Sequence, residues 1–135
     1  MAYYQYYNPN PNVKFSKDGN PKRWLTPDCV ERAICKAIEV DWLDAFDMLV
    51  KDARENYDVP SSRECIDRVL NKLGFEKVKY PRGTKRERVK DFAKNHPNDI
   101  AILNLSGHVV CSYKGKYYDT FDSGSMTAYN YWLKK

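Results

Sequence analysis

Of the four cysteines in this 135-residue chain, Cys29 is the one whose surroundings suit a nucleophile, and His108 is the imidazole best placed to serve it. Cys29 follows Thr26-Pro27-Asp28. Threonine is a good helix N-cap, and proline at the first helical position sacrifices no hydrogen bond, because its missing N–H would have had no partner. Counted from Thr26, Cys29 falls in the first turn of a helix, where unpaired backbone N–H groups and the helix dipole favour a thiolate. Such a sulfur needs a base that takes its proton and holds the positive charge. The two histidines are His96, which precedes Pro97 in an expected loop, and His108, which follows Ser106-Gly107 and opens a strand. A catalytic imidazole in turn uses an acceptor that fixes its tautomer. In the expected hairpin, Asp122 stands opposite His108 if the loop is residues 114–116, the preferred reading. With a two-residue turn Asp119 shares the face of His108, one pair along. Register decides, since a one-residue slip exchanges the faces of a strand.

The other three cysteines, Cys35, Cys65 and Cys111, have no matching histidine and read as small core residues. Their spacing shows no paired C-x-x-C, and His96 and His108 form no H-x₃₋₅-H pair, so no zinc site is expected. Disulfides are not expected either, because the chain is long enough to bury a core without them.

Several elements must hold these residues in place. Residues 1–23, rich in Tyr, Asn, Pro and Gly, predict an irregular arm, with Tyr3, Tyr4, Tyr6 and Tyr7 able to pack on the domain or add an edge strand. Residues 24–135 form the expected single domain. In the first helix Val30, Ala33, Ile34, Ala37 and Ile38 recur at three- and four-residue steps. A second helix is expected from after Asp41 to about Asn56, with Phe46, Leu49, Val50 and Ala53 inward. Ser61-Ser62-Arg63-Glu64 has a capping-box pattern and starts a third, ended by Gly74. Thr84-Lys85-Arg86-Glu87 repeats that pattern before Val89, Phe92 and Ala93. The chain then turns to strands: a weak one at 75–80 before the last helix, an apolar one at 100–105, a hairpin of 108–113 and 116–121 around Lys114-Gly115, and a last one at 129–133. Helices first and antiparallel strands second make an α+β layout, with N-terminal helices packed on a C-terminal antiparallel sheet.

The order Asp28-Cys29 at a helix start, an apolar strand running into Gly107-His108-Val109-Val110, and a hairpin ending in aspartate resembles the papain-like cysteine peptidases. The likeness is closest to their C39-like branch, the double-glycine leader peptidases and relatives, and it spans roughly Thr26 to Ser123. It implies a papain-like fold, with Cys29 as nucleophile, His108 as general base and acid, and Asp122 as orienting residue. It also implies a protein or peptide substrate, and relatives of this kind include bacterial effectors and phage proteins that cleave or deamidate other proteins. Such peptidases commonly carry a glutamine five or six residues before the cysteine to line the oxyanion hole. Here those positions hold Trp24 and Arg23, leaving the Asn20 amide, the Trp24 indole and the Cys29 backbone N–H as donors. Loss of one such donor typically costs about 10²–10³ in rate.

Composition narrows the alternatives. Charged residues make up 30% of the chain, and no apolar run nears the roughly 20 residues of a membrane span. The start lacks a signal-peptide pattern, so a cytoplasmic protein, in a bacterial cell or a phage's host, is expected. No metal or organic cofactor is implied. Net charge is +5, and Lys79, Arg82, Lys85, Arg86, Arg88 and Lys90 are opposed only by Glu87. That run reads as a solvated loop and helix face rather than a nucleic-acid footprint. Two other functions use the same residues differently: a glutamine deamidase or transglutaminase-like acyl transferase with the same triad, and a non-enzymatic basic domain that binds protein or nucleic acid with Cys29 merely buried.

Overall fold

Lys114 and Gly115 carry the strongest local instruction in the chain, and both adopt positive φ, 48° and 89°. In the computed structural model, which describes residues 3–12, 17–19 and 26–135, they form a two-residue hairpin turn with Tyr113 paired to Lys116. Positive φ at both central positions gives a turn whose twist matches that of the strands. The hairpin joins β4 (His108–Tyr113) to β5 (Lys116–Asp119), so β5 is shorter than the sequence predicts.

Around it, β1 (Tyr4–Tyr6), β2 (Phe75–Lys79), β3 (Ile100–Leu105) and β6 (Asn130–Lys134) complete a sheet in the order β1-β5-β4-β3-β6-β2. All neighbours are antiparallel except β1, which runs parallel to β5. The expected purely antiparallel sheet is therefore mixed. Within the expected irregular arm, residues 4–6 are a sheet strand.

The helices are α1 (Cys29–Ile38), α2 (Trp42–Glu55), α3 (Arg63–Lys72) and α4 (Val89–Asn95). Side chains alternate across a strand, and the core divides accordingly. Ile102, Val109, Cys111 and Trp132 pack with Ile34 of α1, Leu49 of α2 and Leu70 of α3 on one face. Ala101, Leu103 and Val110 pack with Val89, Phe92 and Ala93 of α4 in a second cluster on the other. The protein is thus α+β, with helices on both faces of the sheet.

Three local expectations are corrected. The N-cap of α1 is Asp28, two residues later than Thr26, so Cys29 is the first helical residue. The N-cap of α4 is Arg88, not Thr84. Phe46, expected inward, is exposed and stacks on Trp42 with ring centroids 5.2 Å apart. Asp41 and Ser62 cap α2 and α3 close to where the sequence places them. The basic residues between Lys79 and Lys90 are all exposed. Among the described residues, no helix is long and apolar enough to cross a membrane.

Candidate active site

Asp28 occupies the N-cap position of α1, yet its side chain does not cap the helix. Its Oδ1 pairs with Arg32 one turn on, and its Oδ2 accepts hydrogen bonds from Asn10 Nδ2 at 3.0 Å and Trp42 Nε1 at 2.9 Å. These contacts fix the first turn of α1, and with it Cys29. That cysteine is half-buried, and as the first helical residue its backbone N–H has no intrahelical acceptor.

His108 reaches the same place from the sheet. Ser106-Gly107 closes the β3–β4 turn, with Gly107 at φ 66° and Leu105 paired to His108, so the imidazole stands at the first position of β4. Its Nε2 lies 2.7 Å from Asp119 Oδ2, and the two side chains are 12% and 1% exposed. Burial works against the charged imidazole, but the hydrogen bond to Asp119 and the neighbouring Cys29 sulfur outweigh it and raise the His108 pKa to about 9. With Nε2 taken by Asp119, Nδ1 is the nitrogen left for the sulfur. The Phe121 ring flanks the imidazole, centroids 5.0 Å apart.

Asp119 is held on every side. Besides His108, its Oδ2 accepts from Ser123 Oγ at 2.8 Å, its Oδ1 accepts from Thr120 N at 2.8 Å, and Arg32 Nη2 stands 3.8 Å from Oδ1. Asp122, the expected partner of His108, is engaged elsewhere: its Oδ1 accepts from the Tyr117 hydroxyl and from Gly124 N at 2.9 Å. The reason is the turn. Two residues rather than three connect β4 and β5, and continuing the observed register by one pair sets Asp119 beside Val110, on the face of His108.

The remaining candidates fall outside this cluster. Cys35, Cys65 and Cys111 are buried, and burial raises the first two thiols to about 11 and pushes the third higher still. His96 stacks on Phe92 with centroids 3.8 Å apart and bonds Asp99 at 3.1 Å, which secures the end of α4. Of the oxyanion-hole candidates, Asn20 and Trp24 lie outside the described residues, as does Arg23, and the Cys29 backbone N–H stands at the head of α1. Among those described, no three His, Cys, Asp or Glu side chains are grouped to hold a metal ion.

Asp28, Arg32, Asn10, Trp42 and Ser123 complete the cluster without having been singled out as site residues in the sequence. The Asp28–Arg32 pair carries the i,i+4 spacing of a helical ion pair and was legible in that sense. The others join through tertiary contacts that leave no local pattern. The chain matches no protein-family model, no curated protein and no solved structure.

Proposed function

We propose that the chain is a papain-like cysteine hydrolase acting on a peptide or side-chain amide, with Cys29 as nucleophile, His108 as general base and acid, and Asp119 as orienting residue. The observation that carries this reading is the His108 ring, held by Asp119 at one nitrogen while the Cys29 thiol adjoins it at the head of α1. A nucleophile at a helix start, packed against a sheet that supplies the base, is the arrangement the papain-like resemblance implies.

In the proposed reaction the Cys29 sulfur attacks the amide carbon as a thiolate, its proton held on His108 as imidazolium. A thioester forms as the C–N bond breaks, and the imidazolium gives its proton to the departing amine. Water, deprotonated by His108, then attacks the thioester carbon and the thiol leaves. Asp119 stabilises the imidazolium throughout.

Iodoacetamide labelling at pH 6 tests the nucleophile. Cys29 is labelled first, the three buried cysteines stay unmodified, and His108→Ala slows the labelling by about 10²-fold or more. Labelling that ignores His108 would overturn the reading. Incubation with candidate proteins then separates the two acyl-transfer chemistries by mass: a peptidase cleaves, whereas a deamidase converts an amide to an acid.

A further inference from the structure

We propose that Arg32 is a positioning residue of the Cys29–His108 site, its guanidinium tying the start of the nucleophile's helix to the carboxylate that orients the imidazole. The inference rests on the reading of Cys29 and His108 just given and adds a residue to it. Arg32 is three residues beyond Cys29, so the two project from one side of α1. One nitrogen, Nη1, pairs with Asp28, the residue before Cys29, and the other, Nη2, stands 3.8 Å from Asp119 Oδ1. The side chain is 9% exposed, and the two carboxylates 4% and 1%. A buried carboxylate without a counter-charge is strongly unfavourable; here the guanidinium pairs with Asp28 and shares Asp119 with the His108 imidazole. Its planar fork presents a separate nitrogen to each carboxylate in a fixed geometry, which the single rotatable ammonium of lysine does not impose.

Two consequences follow. The fork sets the distance between α1 and β5, and hence between sulfur and imidazole. Its positive charge also draws on Asp119 in competition with His108, and so restrains the hold of that imidazole on its proton. Among the described residues, the charged and titratable groups facing Arg32 are Asp28, Glu31, Asp119 and, through Asp119, His108; Glu31 interacts with both Asp28 and Arg32. From β1 the Tyr4 hydroxyl meets the Asp119 carbonyl.

The test compares Arg32→Gln and Arg32→Lys with wild type in two measurements: the NMR titration midpoint of the His108 ring, and the rate of Cys29 alkylation by iodoacetamide. Arg32→Gln moves the midpoint upward and slows alkylation at least about tenfold. Arg32→Lys keeps the charge and loses the fork, so the midpoint stays near the wild-type value while the rate still falls. A purely structural role moves the midpoint down, because loosening Asp119 weakens its hold on the imidazolium, and that result overturns the proposal. So does a wild-type midpoint and rate in folded Arg32→Gln. Should Arg32→Gln fail to fold, an unchanged rate in Arg32→Lys overturns it as well. Wild-type protein whose Cys29 shows no selective alkylation refutes the nucleophile itself, and that control separates the two failures.

Discussion

Asp119 and Asp122 carry the same functional group three residues apart, and only their surroundings tell them apart. Asp119 is enclosed and meets His108, Ser123 and the Thr120 N–H, whereas Asp122 is exposed and meets Tyr117 and Gly124. Asp119→Asn therefore lowers the rate of Cys29 alkylation at pH 6 by about 10²–10⁴-fold, while Asp122→Asn leaves it within a factor of about two. The reverse ranking would move the orienting role to Asp122. Cys29 and His108 were legible because each depends on local chemistry: a helix start in one case, a glycine turn before a strand in the other. Their carboxylate was not, because one residue in the hairpin turn moves the register. The Asn10 and Trp42 bonds to Asp28 cross 18 and 14 residues of sequence and leave no periodic trace.

His108 also carries a pH signature. Its unfolded-state pKa is near 6.5 and its folded value is raised to about 9. The folded state therefore binds the proton more tightly. That contribution to stability is complete below pH 6.5 and is lost as pH rises through 9. Thermal unfolding followed from pH 6 to 9.5 should show Tm falling more steeply in wild type than in His108→Gln. Parallel curves would mean that His108 is not the group responsible.

At the scale of elements, helices whose ends are satisfied locally are the ones the sequence describes well. The Ser62 hydroxyl accepts from Cys65 N at 3.0 Å at the start of α3, and Asp41 and Asp44 form a reciprocal capping box on α2. The start of α4 obeys a different rule. Its Val89 and Lys90 N–H groups donate to the carbonyls of Met126 and Gly124, far along the chain, so no local cap marks the boundary. The Thr84-x-x-Glu87 pattern misleads because both side chains are used elsewhere. Thr84 closes a turn onto the Pro81 carbonyl, and the Glu87 carboxylate accepts from Tyr80 and Asn95. Ser62→Ala should accordingly destabilise the fold by about 1 kcal/mol, whereas Thr84→Ala should cost well under half of that. Urea unfolding of the two variants checks the contrast, and equal losses would restore Thr84 as a cap.

Across the whole molecule, the arm read as irregular is part of the sheet's construction. Its three strand residues lie along β5, which would otherwise be an open edge, and the backbone of the arm bonds Asp119 and Tyr117 directly: Tyr7 N to the Asp119 carbonyl at 2.9 Å, and Tyr117 N to the Tyr3 carbonyl at 2.9 Å. A three-residue strand that pairs in parallel with a partner so distant carries no hairpin signal, and period-two alternation is too short to read over Tyr4–Tyr6. Removing residues 1–7 should leave β5 exposed for pairing with other molecules, and should loosen Asp119. The truncated protein is expected to label more slowly at Cys29 and to aggregate on concentration, measured by alkylation kinetics and light scattering. Wild-type kinetics after truncation would show that the strand does not support the site.

The parallel seating of β1 on β5 also gives the site a history in time. The Tyr4 hydroxyl bonds the Asp119 carbonyl across 115 residues, a length that a ribosome adds in roughly 6–23 s at about 5–20 residues per second. Cys29 is added 25 residues into that interval and then waits 79 residues for its imidazole, roughly 4–16 s at the same rate, with the carboxylate 11 residues later still. On the proposed reading Cys29 lacks its activating partners during synthesis; they join it only when β4 pairs with β5 and β1 seats on β5, so the site is assembled only after Asp119 has been added.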